Sequence, residues 1–274
     1  MPVNFYLVVE STTTVFNSAR PASIAPGQPT SMPPLKVISL ERSAERRAEF
    51  RRRNAHLDFE FVRAVDAMAL PKSAIASTGL FEPGLAYSIG AHGAALSHYC
   101  LWNEAISSGR ALTVAEDDAI FRLDFAKTHD ALLASLGDWD IVLWGWNLDS
   151  ILAMQGMPGM TAAMYFDTVQ VLERIEDFQS FSGRPGLFRL DKCFGLPAYS
   201  ISPAGAARLK ARCFPLTRFS INIPLLGDFP NNGIDVATNR AYPAVNAFVS
   251  FPPLAITRND QAITTIQNTP YFDP

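Results

Sequence analysis

The sequence is poor in the residue types typical of a nucleic-acid surface, a metal cluster or a disulfide framework. Charged residues make up 18% of its 274 residues, and 26 acidic against 23 basic side chains give a net charge of −3. That balance excludes a protein that holds nucleic acid mainly through a globally basic surface. Three cysteines are an odd number and too few for a disulfide framework or a zinc cluster, so we expect reduced thiols in a cytoplasmic protein.

Long apolar runs are also missing. The longest apolar stretches, such as Phe5–Val9 and Ala111–Ala115, fall far short of the ~20 residues that a membrane-spanning helix needs. No basic segment precedes an apolar one at the N-terminus, so we expect no secretory signal. The sequence thus predicts a cytoplasmic protein, and it leaves open a peripheral contact with the inner face of the cytoplasmic membrane.

Apolar residues are nevertheless plentiful enough for a large core. Hydrophobic residues make up 48% of the chain, which excludes a chain that is disordered by composition. Residues 1–34 combine the apolar patch Phe5–Val9 with five prolines between Pro21 and Pro34. Proline-rich sequence cannot continue a helix or a central strand. We therefore predict an N-terminal strand and proline-rich arm over 1–34 and a single domain over 35–274.

The rest of the chain alternates apolar runs of strand length with helical patterns. The predicted strands are 35–40, 59–65, 111–115, 140–144 and 198–202, and the predicted helices are 41–53, 92–107 and 203–211. Strands separated by helices are typical of an α/β protein with a mainly parallel sheet and helices on both faces. In such a sheet, ligands bind beyond the carboxyl ends of the strands.

Three carboxylates follow the apolar strand Ala111–Ala115 directly. If the chain stays extended, Glu116 and Asp118 project to one face of the strand and Asp117 to the other. Two carboxylates at a strand end can hold a hard divalent cation such as Mn²⁺ or Mg²⁺ through oxygen. The alternative is a solvated acidic turn.

An arginine-rich helix follows the first strand. The start of such a helix lies at the ligand edge of an open sheet, where backbone N–H groups and arginine favour phosphate. Arg42 and Arg46 are therefore candidates for binding the phosphates of a nucleotide, whereas Arg51–Arg53 are expected on an exposed face.

Two further positions have a functional and a structural interpretation. Ser97 and His98 lie on the helix before the acidic strand, where a lone histidine is usually a packed core residue. Asp235 follows an Asn-Gly turn, so it is either a helix cap or a general base aimed at a hydroxyl group.

Six segments, in this order along the chain, together resemble glycosyltransferase family 25, the bacterial lipooligosaccharide glycosyltransferases and their collagen-modifying relatives. The strand end with Arg42 and Arg46 is similar to the family's Asn/Ser-Leu-x-Arg-x-x-x-Arg turn, and Glu116–Asp118 is similar to its Leu-Glu-Asp-Asp. The segments are Val37–Ser43 with Arg46, Ala64–Ala67, Ser88–His98, Val114–Asp118, Trp139–Leu143, and Ala198–Ser202 with Gly205 and Ala206.

The resemblance implies a GT-A fold, a UDP-sugar donor (galactose most commonly), Mn²⁺ or Mg²⁺, and inverting transfer to an oligosaccharide or glycolipid acceptor such as lipooligosaccharide. It implies that Glu116 and Asp118 bind the metal and that Asp235 is the catalytic base. The residues that it implies for nucleotide-sugar binding are Ser39, Leu40, Arg42, Arg46, Asp66, Ser97, His98 and Asp117.

The chain departs from the family pattern at two positions of the Ser88–His98 segment. Ala91 stands where the family motif has glutamate, and Ala94 stands where it has cysteine. The first alternative is therefore a catalytically impaired protein that keeps the fold and binds a nucleotide sugar or a glycan. A second alternative is a metal-dependent phosphoesterase or nucleotidyltransferase that uses the acidic triplet.

Overall fold

The computed structural model describes residues 32–223 and 226–258, and the predicted N-terminal strand and the proline-rich segment up to residue 31 lie outside this part. The helices are α1 (Ala44–Arg53), α2 (Lys72–Ser77), α3 (Ile89–Ser108), α4 (Phe125–Ser135), α5 (Thr168–Glu173), α6 (Pro203–Cys213) and α7 (Ile234–Ala241). The strands are β1 (Leu35–Ser39), β2 (Glu60–Arg63), β3 (Leu112–Glu116), β4 (Ala119–Phe121), β5 (Ile141–Gly145), β6 (Ile151–Met157), β7 (Met160–Tyr165), β8 (Gly186–Cys193), β9 (Ala198–Ile201), β10 (Ser220–Ile223), β11 (Gly227–Pro230), β12 (Ala247–Phe251) and β13 (Ala255–Thr257).

One nine-stranded sheet organises the chain, in the order β2-β1-β3-β9-β5-β12-β8-β6-β7. The α/β class is confirmed, but the expectation of a mainly parallel sheet is wrong. The pairs β1–β2, β1–β3 and β5–β12 are parallel, and the other five neighbouring pairs are antiparallel. The prediction failed because an apolar strand buried on both faces has the same sequence pattern in either direction, as β9 does between β3 and β5.

Alternate residues of the central strands pack on opposite faces of the sheet, as strand geometry requires. On β3, Val114 belongs to a core covered by α3, α6 and α7, and Ala115 belongs to a second core against α1 and α4. On β5, Leu143 and Trp144 divide in the same way. The expected helices on both faces are therefore present.

The ends of two helices near the sheet edge follow from local capping. Helix α3 begins at Ile89, three residues before its predicted start, because Ser88 Oγ accepts a hydrogen bond from the Ala91 N–H (3.0 Å). It ends at Ser108, and the capping residue Gly109 adopts a left-handed conformation with φ of 65°. Helix α1 begins at Ala44 rather than at position 41, because a turn closed by the Ser43 N–H and the Leu40 carbonyl (3.0 Å) precedes it.

No helix within residues 32–223 and 226–258 has the length and the apolar character that crossing a membrane requires.

Candidate functional site

A cavity of about 1140 Å³ opens at the carboxyl ends of the parallel strands β1 and β3. Sequence reasoning placed the candidate residues on five separate segments, and the fold brings all of them to the wall of this cavity. They are Ser39, Leu40, Arg42, Arg46, Asp66, Ser97, His98, Glu116, Asp117, Asp118 and Asp235. The agreement follows from the topology, since parallel neighbours end at the same edge of a sheet.

The acidic triplet lies at the floor of the cavity. Glu116 is the last residue of β3, and the chain turns at Asp117 and Asp118 before β4 begins. The chain therefore does not stay extended beyond Glu116, and strand alternation does not decide where Asp117 and Asp118 point. All three side chains line the cavity.

Asp117 is held by one residue of β1 and one residue of α1. Its Oδ2 accepts a hydrogen bond from Ser39 Oγ (2.7 Å), and its Oδ1 lies 2.5 Å from Arg46 Nη2. Burial raises the pKa of Asp117, and Arg46 and Ser39 offset part of that rise. Asp117 thus fixes Arg46 at the cavity wall, where a guanidinium can meet an anionic ligand.

Asp118 combines a contact with Arg46 and a buried side-chain oxygen. Its Oδ2 lies 3.1 Å from Arg46 Nη2, but its Oδ1 is buried and has no hydrogen-bond partner among the described residues. Burial, together with the charge of Glu116, raises the pKa of Asp118 to about 6, and Arg46 opposes this rise. A buried oxygen without a partner is costly, and a ligand cation or donor group would remove that cost.

Glu116 faces His98 across the cavity floor. The distance between Glu116 Oε1 and His98 Nε2 is 3.7 Å, and the His98 side chain is almost completely buried. Because 3.7 Å exceeds hydrogen-bond length, the Glu116 carboxylate keeps room for a further partner on its cavity side.

Arg42 and Asp66 form an ion pair at the mouth of the cavity. Both side chains remain partly exposed, at 47% and 31%. Asp66 immediately precedes a short 3₁₀ turn, Ala67–Ala69. Because both side chains are partly exposed, a ligand in the cavity can contact Arg42 or Asp66 and replace its partner in the ion pair.

Ser97 is a structural link beside this pair. Its Oγ donates to the Gly93 carbonyl (2.7 Å) and accepts from the Val65 N–H (2.9 Å). A Cβ at position 93 would lie 2.5 Å from the Val65 carbonyl oxygen, so only glycine permits this approach. Ser97 and Gly93 thus hold the Asp66 segment against α3.

Asp235 lies at the start of α7 and lines the same cavity. Its Oδ2 accepts from the Gly195 N–H and its Oδ1 from the Val236 N–H, both at 3.0 Å. Burial raises the pKa of Asp235 and the two N–H groups offset part of that rise, while the charge of Glu116 adds to it. A carboxylate with a raised pKa at a cavity wall has the properties of a general base.

Sequence reasoning missed the wall formed by the second half of the sheet. Asn147, Asp149 and Tyr165 line the cavity from the segments around β6 and β7. Gly195 has a φ of 78°, and a Cβ there would lie 2.1 Å from Asn147 Oδ1. No motif marks these positions, because they come together only through the antiparallel strands that the sequence pattern did not reveal.

The described residues can hold a divalent cation only when a bound ligand supplies further oxygen atoms to it. Within residues 32–223 and 226–258, no three His, Cys, Asp or Glu side chains form a ready metal-binding group. Mg²⁺ and similar cations are commonly held by one or two carboxylates plus substrate phosphates. Glu116 and the unpartnered oxygen of Asp118 match that requirement, so a cation would need to enter with a phosphate-bearing ligand.

The fold and the cavity define an α/β protein with arginines and clustered carboxylates at the carboxyl edge of its sheet. The model of glycosyltransferase family 25 (LPS biosynthesis protein) matches residues 32–218, which is more than half of the chain. The chain belongs to this family. Asp235 lies beyond the matched residues.

Curated relatives align with a smaller part of the chain. It is 31% identical over 148 residues to inactive glycosyltransferase 25 family member 3 of Mus musculus, and the match covers 47% of this chain and 25% of that protein. It is also 31% identical over 123 residues to a glycosyltransferase 25 family member of Aedes aegypti, with 40% of this chain and 20% of that protein covered. The matches span about a quarter or less of these relatives' lengths.

Proposed function

We propose that the protein is a metal-dependent glycosyltransferase that takes a sugar, galactose in the first instance, from a UDP-sugar. The proposal rests on one observation: Arg46, the acidic triplet and Asp235 all line the same cavity at one edge of the sheet. Membership of glycosyltransferase family 25 supports the same reaction class. The family description as an LPS biosynthesis protein supports a surface glycan or glycolipid as acceptor.

In this proposal the diphosphate binds beside Arg46 and the acidic triplet, in a GT-A arrangement. Glu116 and Asp118 hold Mn²⁺ or Mg²⁺, which supplies charge stabilisation for the leaving diphosphate. Arg46 stays at the wall through its contact with Asp117 and faces the phosphates, and Arg42 can leave Asp66 to do the same. Both guanidinium groups favour departure of the nucleotide because negative charge accumulates on it.

Asp235 is the proposed general base. Its carboxylate is fixed by two backbone N–H groups, which keeps its direction constant while further lone pairs remain for an acceptor hydroxyl. The acceptor oxygen attacks the anomeric carbon while the bond to the diphosphate breaks, and its proton passes to Asp235. Attack from the side opposite the leaving group inverts the anomeric centre.

A second candidate function is supported by the names of the relatives. Three curated relatives, from Mus musculus, Rattus norvegicus and Homo sapiens, are named inactive or probable inactive family members. Together with the departures at Ala91 and Ala94, this favours a protein that binds a nucleotide sugar or glycan without turnover.

The two functions separate in one assay. The protein is incubated with UDP-galactose, UDP-glucose or another UDP-sugar, Mn²⁺ and a lipooligosaccharide-derived oligosaccharide, and UDP release and product mass are measured. Release of UDP with a matching mass increase of the acceptor supports the transferase. Saturable binding of a UDP-sugar with no UDP release would contradict it and support the binding protein.

A further inference from the structure

A line of buried hydrogen bonds reaches from the core to Glu116. It consists of Trp102 on α3, Tyr199 on the central strand β9, and His98 on α3. Trp102 Nε1 lies 3.0 Å from the Tyr199 hydroxyl oxygen, and that oxygen lies 2.9 Å from His98 Nδ1. All three side chains are at most 1% exposed.

The direction of these hydrogen bonds follows from the chemistry of the three groups. The Trp102 indole N–H is a donor only, so the Tyr199 oxygen accepts from it. The hydroxyl proton then needs an acceptor, and among the described residues the remaining hydrogen-bond partner of this hydroxyl is His98 Nδ1. His98 Nδ1 therefore accepts, and the neutral ring carries its proton on Nε2.

The sheet fixes this arrangement from both sides. Tyr199 is paired with Val114 on β3 and with Leu143 on β5. Glu116 lies two residues beyond Val114 on the same strand, so the side chains of Glu116 and Val114 lie on the same face of the sheet. Any rotation of the tyrosine ring would disturb a fully packed core, which makes the hydroxyl a rigid reference point for His98.

We propose that Tyr199 is a positioning residue: its hydroxyl holds His98 in the Nε2–H form, and that N–H orients the Glu116 carboxylate toward the cavity. His98 Nε2 lies 3.7 Å from Glu116 Oε1, so its N–H attracts the carboxylate without forming a close hydrogen bond to it. In the other form of the ring, a nitrogen lone pair would face the carboxylate and repel it. The second half of this inference rests on the proposed function, because it concerns a cation bound by Glu116.

The first experiment reads the protonated ring nitrogen directly. Long-range ¹H–¹⁵N correlation spectra of the ¹⁵N-labelled protein, without metal or nucleotide, are recorded for the wild type and for Tyr199→Phe. We expect the Nε2–H form of His98 in the wild type and a shift toward the Nδ1–H form in the variant. An Nδ1–H ring in the wild type, or an unchanged ring in Tyr199→Phe, would overturn the inference. Tyr99→Phe, the same deletion on a ring that packs against Phe214, is the matched control and leaves His98 as it is.

The second experiment does not depend on the folding of the Tyr199 variant. Glutamine at position 98 can place an amide N–H near the position of Nε2, whereas asparagine can place one only near Nδ1. Mn²⁺ affinity in the presence of UDP is measured by electron paramagnetic resonance of free Mn²⁺. We expect His98→Gln to stay within about threefold of the wild type and His98→Asn to lose roughly tenfold or more, the usual cost of removing a partner of a metal ligand.

Equal affinities of the two His98 variants would overturn the role of the Nε2–H. A wild-type protein that binds no Mn²⁺ with UDP would instead overturn the proposed function. The state of the His98 ring, read without either ligand, would still decide whether Tyr199 sets it.

Discussion

Arg46 balances the charge of the cavity floor. Its guanidinium contacts both Asp117 and Asp118. Burial lowers the pKa of Arg46, but the three carboxylates of the triplet outweigh burial and raise it. Removing one partner of a buried ion pair leaves an uncompensated charge, which costs far more than the pair contributes.

We expect Arg46→Met to reduce the free energy of unfolding at pH 7 by about 2–4 kcal/mol. Urea denaturation followed by circular dichroism measures this change. Arg52→Met is the matched control, because Arg52 is 64% exposed and pairs with Glu49 at the surface, so its loss should change the free energy of unfolding far less than Arg46→Met does. Equal losses in the two variants would contradict the role given to Arg46.

Asp235 permits a sharper test of the chemical step. Asp235→Asn keeps an acceptor oxygen for one backbone N–H but cannot take a proton. We expect UDP affinity to stay within about threefold and turnover to fall by roughly 10²–10⁴, the usual contribution of a general base. Steady-state UDP release and UDP titration calorimetry separate the two effects. Undiminished turnover in the variant would assign the base to another group.

The departure at Ala91 has a structural consequence at the residue scale. Ala91 is the third residue of α3 after the capping Ser88, and its N–H donates to Ser88 Oγ. In a Ser-x-x-Glu capping box, glutamate at this position returns a hydrogen bond to the cap residue. The alanine therefore removes one capping interaction. Because Ala91 also lines the cavity, this departure changes the cavity wall as well.

At the scale of the elements, the segment between β8 and β9 positions α7. Gly195 combines a positive φ with a close approach to Asn147, and its N–H holds Asp235. Gly159, at the β6–β7 turn, has a similar φ of 73°, but a Cβ at that position would meet no atom within 4 Å. A substitution at Gly159 therefore tests the cost of the backbone conformation alone. A substitution at Gly195 tests that cost together with the cost of displacing Asn147.

We expect Gly159→Ala to cost about 1 kcal/mol, from backbone conformation alone, and Gly195→Ala to cost about 2–3 kcal/mol because a displaced Asn147 adds to it. Urea denaturation of both variants measures the difference. If both substitutions cost the same, the approach of Gly195 to Asn147 is not tight.

Helix α4 is joined to the sheet by a buried polar cluster around His129. Its Nε2 lies 3.0 Å from Ser200 Oγ on β9, and its Nδ1 lies 2.9 Å from Asp130 Oδ1. Burial lowers the pKa of His129, and Asp130 offsets part of that change. Below the ordinary histidine pKa of about 6.5, the unfolded chain therefore binds a proton that the folded chain does not.

The lowered pKa of His129 makes its contribution to stability depend on pH. Stability from His129 is fully present above about pH 6.5 and decreases as the pH falls toward the lowered folded pKa. We expect the stability advantage of the wild type over His129→Phe to shrink between pH 7.5 and pH 5. Urea denaturation across this range measures the difference between the two proteins, which cancels the contributions of other titrating groups. A constant difference would contradict a neutral, buried His129.

At the scale of the whole molecule, the sequence predicted the first half of the site well. Arg46 and Glu116 were both placed at the ligand edge because each follows a predicted strand in a pattern of alternating strands and helices, and Ser39 was placed there by the family resemblance. Their contacts with one another were not predictable, since Asp117 meets Ser39 through a turn that strand alternation does not describe.

The second half of the site, around Asn147 and Tyr165, was less predictable for a physical reason. Strands β6, β7, β8 and β12 lack the regular spacing of strand and helix, and their pairing is mainly antiparallel. Register and direction there depend on long-range contacts rather than on local pattern. The wall with Asn147 and Tyr165 therefore became visible only in the structure.

The central claim is that Asp118 binds a cation together with a nucleotide diphosphate, and calorimetric titration of UDP tests it most directly. The wild type, Asp118→Asn and the exposed-carboxylate control Asp58→Asn are each titrated with Mn²⁺ and with a chelator instead. We predict that Mn²⁺ tightens UDP binding at least about tenfold, or ~1.4 kcal/mol, in the wild type and in Asp58→Asn but not in Asp118→Asn. Equal UDP affinity of the wild type with and without Mn²⁺, or a metal effect that survives in Asp118→Asn, would contradict the claim.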